Sequence, residues 1–237
     1  MKKKMVAAFQ TARKIVLVFA GMSGVRLDRG KILLIWIPLA IISYLLNQIV
    51  YIKNWWLPYV IFCWAFYYVG NPLILSTPIR SWMIRKLGEE KAYSIYEILL
   101  GLMFMNSAFA IAQFTVAHPN TFNIAPIIAW IISVIVFVVS FGSKFWATWL
   151  TGLDIYYYKD LFLNKKTGKF IQSGPYRIFK NPMYGIGYLY GYLGALIIQS
   201  KEGLIFVAIC HASIYIFYYL IEQPFVRRTY LSSSNSL

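Results

Sequence analysis

Long apolar runs alternate with short polar pieces along the whole chain. Runs at 32–52, 57–77, 95–117, 124–142, 183–199 and 203–221 each approach the length of about 20 apolar residues that a helix needs to cross a bilayer. The first run is bounded by Lys31 and Lys53. The second carries Gly70, Asn71 and Pro72, which predict a kink or break. Only Ser200, Lys201 and Glu202 separate the last two runs, which predicts a tight antiparallel helical hairpin. Residues 5–20 are apolar but interrupted by Arg13 and Lys14, and suit an amphipathic helix lying in the membrane interface better than a cleavable signal. The expected fold class is all-α: a polytopic membrane helix bundle of about six transmembrane helices ending in a helical hairpin. Two regions follow, 1–142 with four spans and the interfacial helix, and 143–237 with a long connection and the hairpin.

Composition supports the bilayer. Hydrophobic residues make up 59% of the 237-residue chain, aromatics 19% and charged residues 13%. That is too little charge to cover a water-facing domain, and too much aromatic content for a disordered one. The net charge of +15 does not point to nucleic acid, because the basic residues lie between apolar runs and not on one solvated face. Twenty-one of the 23 Lys and Arg residues fall in alternate connecting pieces, leaving only Lys53 and Lys201 in the others. By the positive-inside rule both termini and the 143–182 segment are cytoplasmic, in a bacterial inner membrane or an endoplasmic reticulum. A five-span arrangement with a partly re-entrant last hairpin puts the C-terminus on the other side.

The 143–182 segment is the longest connection and the richest in polar chemistry. It holds Gly152, Asp154, Tyr156, Tyr157, Tyr158 and Asp160, and closes on Ser173-Gly-Pro-Tyr-Arg177 and Asn181-Pro-Met-Tyr184. The next run opens with Gly185, Gly187, Gly191 and Gly194, and the last ends in Glu222, Gln223 and Pro224. Long loops in compact proteins are often functional. Several of these features also have ordinary explanations. Gly191 and Gly194 suit helix packing, and edge aromatics such as Trp146 and Trp149 suit interfacial anchoring. A lone mid-helix His211 suits a hydrogen-bonded core residue better than a metal ligand, and Glu97 at shallow depth can snorkel. Cys63 and Cys210 lack CxxC partners and suit packed thiols. No metal site is expected.

The motifs from 147 to 230 carry a resemblance. Ser173-Gly-Pro-Tyr-Arg177, Asn181-Pro-Met-Tyr184 and Gly187 resemble the C-terminal signature of the membrane phospholipid N-methyltransferases, and are similar to the GPYR…RHPxYxG motif of the isoprenylcysteine carboxyl methyltransferases. Glu222-Gln-Pro-Phe225 with Tyr230 resembles the acidic-pair ending of the phosphatidylethanolamine methyltransferases, and Leu150-Thr-Gly152 a short upstream glycine motif of theirs. Asn181 stands where the carboxyl methyltransferases have histidine, and Gln223 where the acidic pair has its second carboxylate.

The resemblance implies S-adenosyl-L-methionine as cofactor and phosphatidylethanolamine or its methylated forms as bilayer-embedded substrate. It implies a cofactor site of Gly152, Asn181, Pro182, Tyr184, Gly185, Gly187, Glu222 and Gln223. Arg177, Tyr156 and Tyr157 become candidates for the lipid head group, and Asp154, Asp160 or Tyr158 for the proton acceptor. An isoprenylcysteine-type carboxyl or thiol methyltransferase, a sterol reductase-like enzyme and a non-enzymatic multi-pass membrane protein are the alternatives.

Overall fold

A computed structural model describes residues 2–28 and 33–231; the boundary residue Lys31 and the serine-rich tail lie outside the described residues. The described chain is helical, with no strand among these residues. Helix α1 spans Lys2–Met22, α2 Leu33–Ile52, α3 Trp56–Ser76, α4 Pro78–Leu87, α5 Glu89–Val116 and α6 Pro126–Thr151. Three short helices follow, α7 Leu153–Tyr156, α8 Lys159–Leu163 and α9 Pro175–Ile178. The C-terminal hairpin is α10 Ile186–Ile198 and α11 Lys201–Leu231.

Among the described residues six helices are long and apolar enough to cross a membrane, as expected in number, but the set differs from the sequence expectation. Helix α1 qualifies from Met5 to Met22, and α10 falls short. The charge that had seemed to bar α1 has a local partner: the Lys14 ammonium lies 3.9 Å from the Trp149 ring centroid. Helix α10 compensates for its length by conformation. Seven of its residues, Ile186–Tyr192, form 3-10 turns before six α-helical ones. The steeper 3-10 rise carries it about 23 Å in all. Its start lies against the Asn181 turn, where the Tyr184 N–H donates to Asn181 Oδ1. Its end joins the α5–α6 loop, where Thr121 N–H donates to the Gln199 carbonyl and Ile124 N–H to Gln199 Oε1. This short segment therefore runs from one end of the bundle to the other.

The hairpin turns at Gln199, in the left-handed region at φ 56°. Ser200 then caps α11 by accepting from the Gly203 N–H at 3.0 Å. The expected break at Gly70-Asn71-Pro72 is instead a single π-helical turn, Phe66–Gly70, within a continuous helix. A proline ring clashes with the carbonyl four residues back and brings no N–H, and a widened turn relieves both problems. The same device recurs before Pro224, at Tyr218–Glu222.

A buried ion cluster locks the N-terminal end of the bundle. Gly24 adopts φ +99° and lies so close to Gly101 of α5 that a side chain on either glycine would strike the other's carbonyl. That approach brings Arg26 to Glu97, and both side chains are 1% exposed. Arg26 also donates to Asp28 at 2.7 Å and to Asp154 at 2.8 Å. Burial works against the Arg26 charge, but Asp28, Glu97 and Asp154 outweigh it and hold the guanidinium above its ordinary pKa. Glu97 is thus a buried ion-pair member, not a snorkelling surface residue.

Candidate active site

Helices α3, α5, α6, α10 and α11 and the segment after α6 line a cavity of about 940 Å³. This is ample for a nucleotide-sized ligand together with a lipid head group. Tyr67 and Tyr68 of the first π turn, Tyr218 and Glu222 of the second, and Arg227 and Tyr230 of a third, Arg227–Leu231, all face it. Each π turn breaks the regular stagger of its helix, which is how neighbouring residues such as Tyr67 and Tyr68 can line the same space.

A chain of hydroxyl groups organises the polar end. The Tyr184 hydroxyl donates to Glu222 Oε2 at 2.7 Å, and the Tyr158 hydroxyl lies 2.8 Å from that of Tyr184. Tyr184 has one hydroxyl hydrogen, already committed to the carboxylate, so Tyr158 is the donor in the second bond. The lone pairs of Tyr158 are left facing the cavity, with Tyr67 at 3.5 Å. Burial pushes the Tyr158 phenol well above its ordinary pKa, so it stays protonated and can only accept a proton by passing its own along. The Tyr184 backbone is fixed by two contacts: its N–H donates to Asn181 Oδ1, and its carbonyl lies 2.7 Å from His211 Nε2. His211 in turn meets the Tyr192 hydroxyl at 3.2 Å and stacks on Tyr188. It is the packed, hydrogen-bonded residue that its isolation in the sequence suggested.

Among the residues singled out from the sequence, Tyr156, Tyr158, Asn181, Tyr184, Glu222 and Gln223 line this one cavity. Others stand back from it. Asp154 pairs with Arg26 and, at 2.6 Å, with Lys159. Asp160 accepts from the Thr167 N–H and hydroxyl, and burial pushes its carboxyl pKa up against those bonds. Tyr157 is buried and donates to the Gly21 carbonyl at 2.9 Å, and Arg177 is exposed. Pro182 is buried behind the wall. A side chain at Gly187 would sit 2.4 Å from the Pro182 carbonyl, and one at Gly185 would sit 3.0 Å from that of Asn181. These two glycines therefore admit the chain's own backbone. Gly152, at φ 83°, permits the sharp turn out of α6.

The cavity wall also includes residues outside the sequence-predicted site. Gly191 and Gly194 line it, as do Tyr67, Tyr68 and Lys144. Proline following a glycine or an acidic residue in an apolar run marks the two π turns, and is the one signal that points to Tyr67 and Tyr68.

The arrangement suits transfer to a nucleophile that must shed a proton. It offers a carboxylate with one oxygen free of hydrogen bonds among the described residues, aromatic faces for a cationic group, and the Asn181 amide nitrogen as a donor.

Comparison with known proteins agrees with this chemistry. Residues 128–233 match the family model for phospholipid methyltransferases. An 81-residue stretch is 32% identical to a phosphatidylethanolamine N-methyltransferase from Kluyveromyces lactis, covering 34% of this chain and 9% of that relative's length. No solved structure matches the chain. Residues 128–233, the stretch similar to the phospholipid methyltransferase family model, contain Tyr156, Tyr158, Asn181, Tyr184 and Glu222 together.

Proposed function

We propose that this chain is a multi-pass membrane enzyme that moves a methyl group from S-adenosyl-L-methionine to the amine of phosphatidylethanolamine or its mono- and dimethyl derivatives. The observation that carries this reading is the Tyr158–Tyr184–Glu222 hydrogen-bond chain, contributed wholly by the family-matched segment and lining the cavity.

S-adenosyl-L-methionine supplies an electrophilic methyl carbon on sulfur. Glu222 holds its ammonium through the free carboxylate oxygen, and the Asn181 amide nitrogen reaches the ribose or adenine. The lipid amine reaches the site as an ammonium with no lone pair, so it first gives a proton to the Tyr158 oxygen. Tyr158 passes its own proton to Tyr184, and Tyr184 passes its proton to Glu222. The amine lone pair then forms the new nitrogen–carbon bond as the carbon–sulfur bond breaks and sulfur keeps the electron pair. Aromatic rings around the cavity stabilise the positively charged head group. Asp154 and Asp160 remain structural in this scheme. The charge asymmetry of the connecting pieces supports a cytoplasmic opening for the water-soluble donor, with both termini on that side.

The test is incubation of purified protein with methyl-labelled donor and vesicles containing phosphatidylethanolamine. Label in mono-, di- or trimethylated lipid is expected. Absence of both transfer and donor binding overturns the proposal, and label in a prenylated cysteine ester instead moves it to the carboxyl methyltransferases.

A further inference from the structure

Lys144 is the cavity group that this scheme leaves unused. It lies in the middle of an apolar stretch of α6, yet its side chain is only 8% exposed and lines the cavity. Its ammonium donates to the Tyr190 hydroxyl at 3.1 Å and stands 4.7 Å from the Tyr190 ring centroid and 5.6 Å from that of Tyr156. None of the ion pairs among the described residues includes it. A buried ammonium facing two neutral phenols lacks the counter-charge that normally offsets its desolvation. Its remaining donors face a cavity, so an anionic ligand is the missing partner.

We infer that Lys144, with Tyr190, is the subsite for the phosphodiester of the substrate lipid. The inference rests on the proposed lipid methylation and deepens it. Two further observations favour a lipid phosphodiester over the carboxylate of the methyl donor. In an α-amino acid the ammonium and carboxylate share one carbon, so a donor whose ammonium rests on Glu222 keeps its carboxylate at that end. Arg227 and Lys180 line the cavity there. Lys144 instead neighbours Tyr156, Tyr190 and the backbone at Gly187, none of which belongs to the hydroxyl chain ending at Glu222.

The second observation is the apolar part of the cavity. Phe104, Ala108, Ala112 and Thr115 form one stripe of α5 that lines it, and Gly191 and Gly194 of α10 line the same cavity. From Phe104 to Thr115 this apolar arm extends about 16 Å towards the far end of the bundle. Outside its own helix, no neighbouring atom lies within 4 Å of where a Gly194 side chain would begin, and Gly194 is exposed. The arm suits an acyl chain. A phosphodiester joins acyl chains to an ethanolamine two carbons long, and Lys144 occupies the matching place. The arm begins at Phe104, whose ring centroid lies 5.6 Å from that of Tyr156, the ring beside Lys144.

The experiment compares wild type, Lys144→Met and Lys144→Arg in detergent. Binding is titrated with short-chain phosphatidylethanolamine, with a phosphate-free analogue carrying an aminoethyl ether on the same diacylglycerol, and with S-adenosyl-L-methionine. Lys144→Met is expected to weaken phosphatidylethanolamine binding about ten- to hundredfold, the usual weight of a hydrogen bond to a charged group. It should leave the analogue and the donor within about threefold, and Lys144→Arg should restore most of the loss. Unchanged phosphatidylethanolamine binding overturns the inference, as does selective loss of donor binding, which would assign Lys144 to the donor carboxylate. If Lys144→Met fails to fold, wild type decides alone: equal affinity for phosphatidylethanolamine and its analogue overturns the subsite. Failure of the proposed function reads differently, as wild-type protein that transfers no methyl group whatever it binds.

Discussion

The hydroxyl chain makes Tyr184→Phe the most informative substitution. The change removes one oxygen and keeps the ring, its edge-on approach to Tyr218 and the backbone contacts to Asn181 and His211. Two hydrogen bonds vanish together, the 2.7 Å bond to Glu222 and the 2.8 Å bond from Tyr158. Each bond to a charged partner is worth roughly 1.5–3 kcal/mol. The functional effect should be larger than this ground-state loss, because the only route from Tyr158 to a carboxylate is cut. Positioned proton transfer typically contributes about 10²–10⁴ in rate, so kcat should fall within that range. Donor affinity should stay within about threefold, since Glu222 retains its charge and its free oxygen. The variant should also lean on bulk solvent to deprotonate the amine. Its rate should therefore climb about tenfold per pH unit below the amine pKa, while wild type rises less steeply. Glu222→Gln should lower kcat and donor affinity together, and the double variant should be little worse in kcat than either single one. The assay is initial-rate transfer of labelled methyl to phosphatidylethanolamine across pH, with donor affinity measured by calorimetry. A Tyr184→Phe enzyme within threefold of wild-type kcat, or a double variant whose losses simply add, would refute the relay.

Arg26→Met should lower folding stability by about 3–5 kcal/mol, because it strands the buried Glu97 carboxylate, and a thermal melt in detergent reads this. Gly187→Ala should cost about 1–3 kcal/mol by forcing a methyl against the Pro182 carbonyl, with activity lost in step as the Asn181 turn shifts. Asp160→Asn separates two roles. Burial raises the folded-state pKa of Asp160, so its favourable contribution is complete below the ordinary carboxylate range and is lost as pH rises through the raised value. Asparagine at 160 should thus be at least as stable as wild type at neutral pH, with that advantage shrinking on acidification in denaturation curves. Its kcat should stay within about threefold, whereas a large fall would make Asp160 the proton acceptor.

Much of the fold and part of the site are legible in the chain itself. Apolar run length locates α2, α3, α5, α6 and α11, because crossing a bilayer as a helix fixes a length and forbids unsatisfied backbone. It also marks α10, which is short in residues but gains reach from its steeper 3-10 turns. Helix α1, expected to lie in the interface, is also long and apolar enough to cross, and its Lys14 ammonium lies over the Trp149 ring. Motif spacing reaches Asn181, Tyr184 and Glu222 because they sit on adjoining strokes of one hairpin. It cannot reach Tyr67, Tyr68 or Lys144. An aromatic or basic residue near a span end looks the same whether it anchors to head groups or turns inward, and only packing decides.

That distinction also bears on how Glu222-Gln223, with one carboxylate, could serve the proposed reaction. Two adjacent carboxylates in a desolvated cavity repel, and one would have to hold a proton. Glu222 here already has a hydroxyl donor at 2.7 Å, and a methyl donor's ammonium can reach its other oxygen. Both acceptor needs are met by a single charge. Gln223 lines the same cavity without adding to that charge. Gln223→Glu should therefore add a poorly tolerated anion and not a second catalytic group. Transfer should fall as pH rises and both groups are forced to ionise, and recover towards wild type as pH falls and one of them takes a proton. A variant more active than wild type across the whole range would mean that the pair, and not Glu222 with Tyr184, is the functional unit.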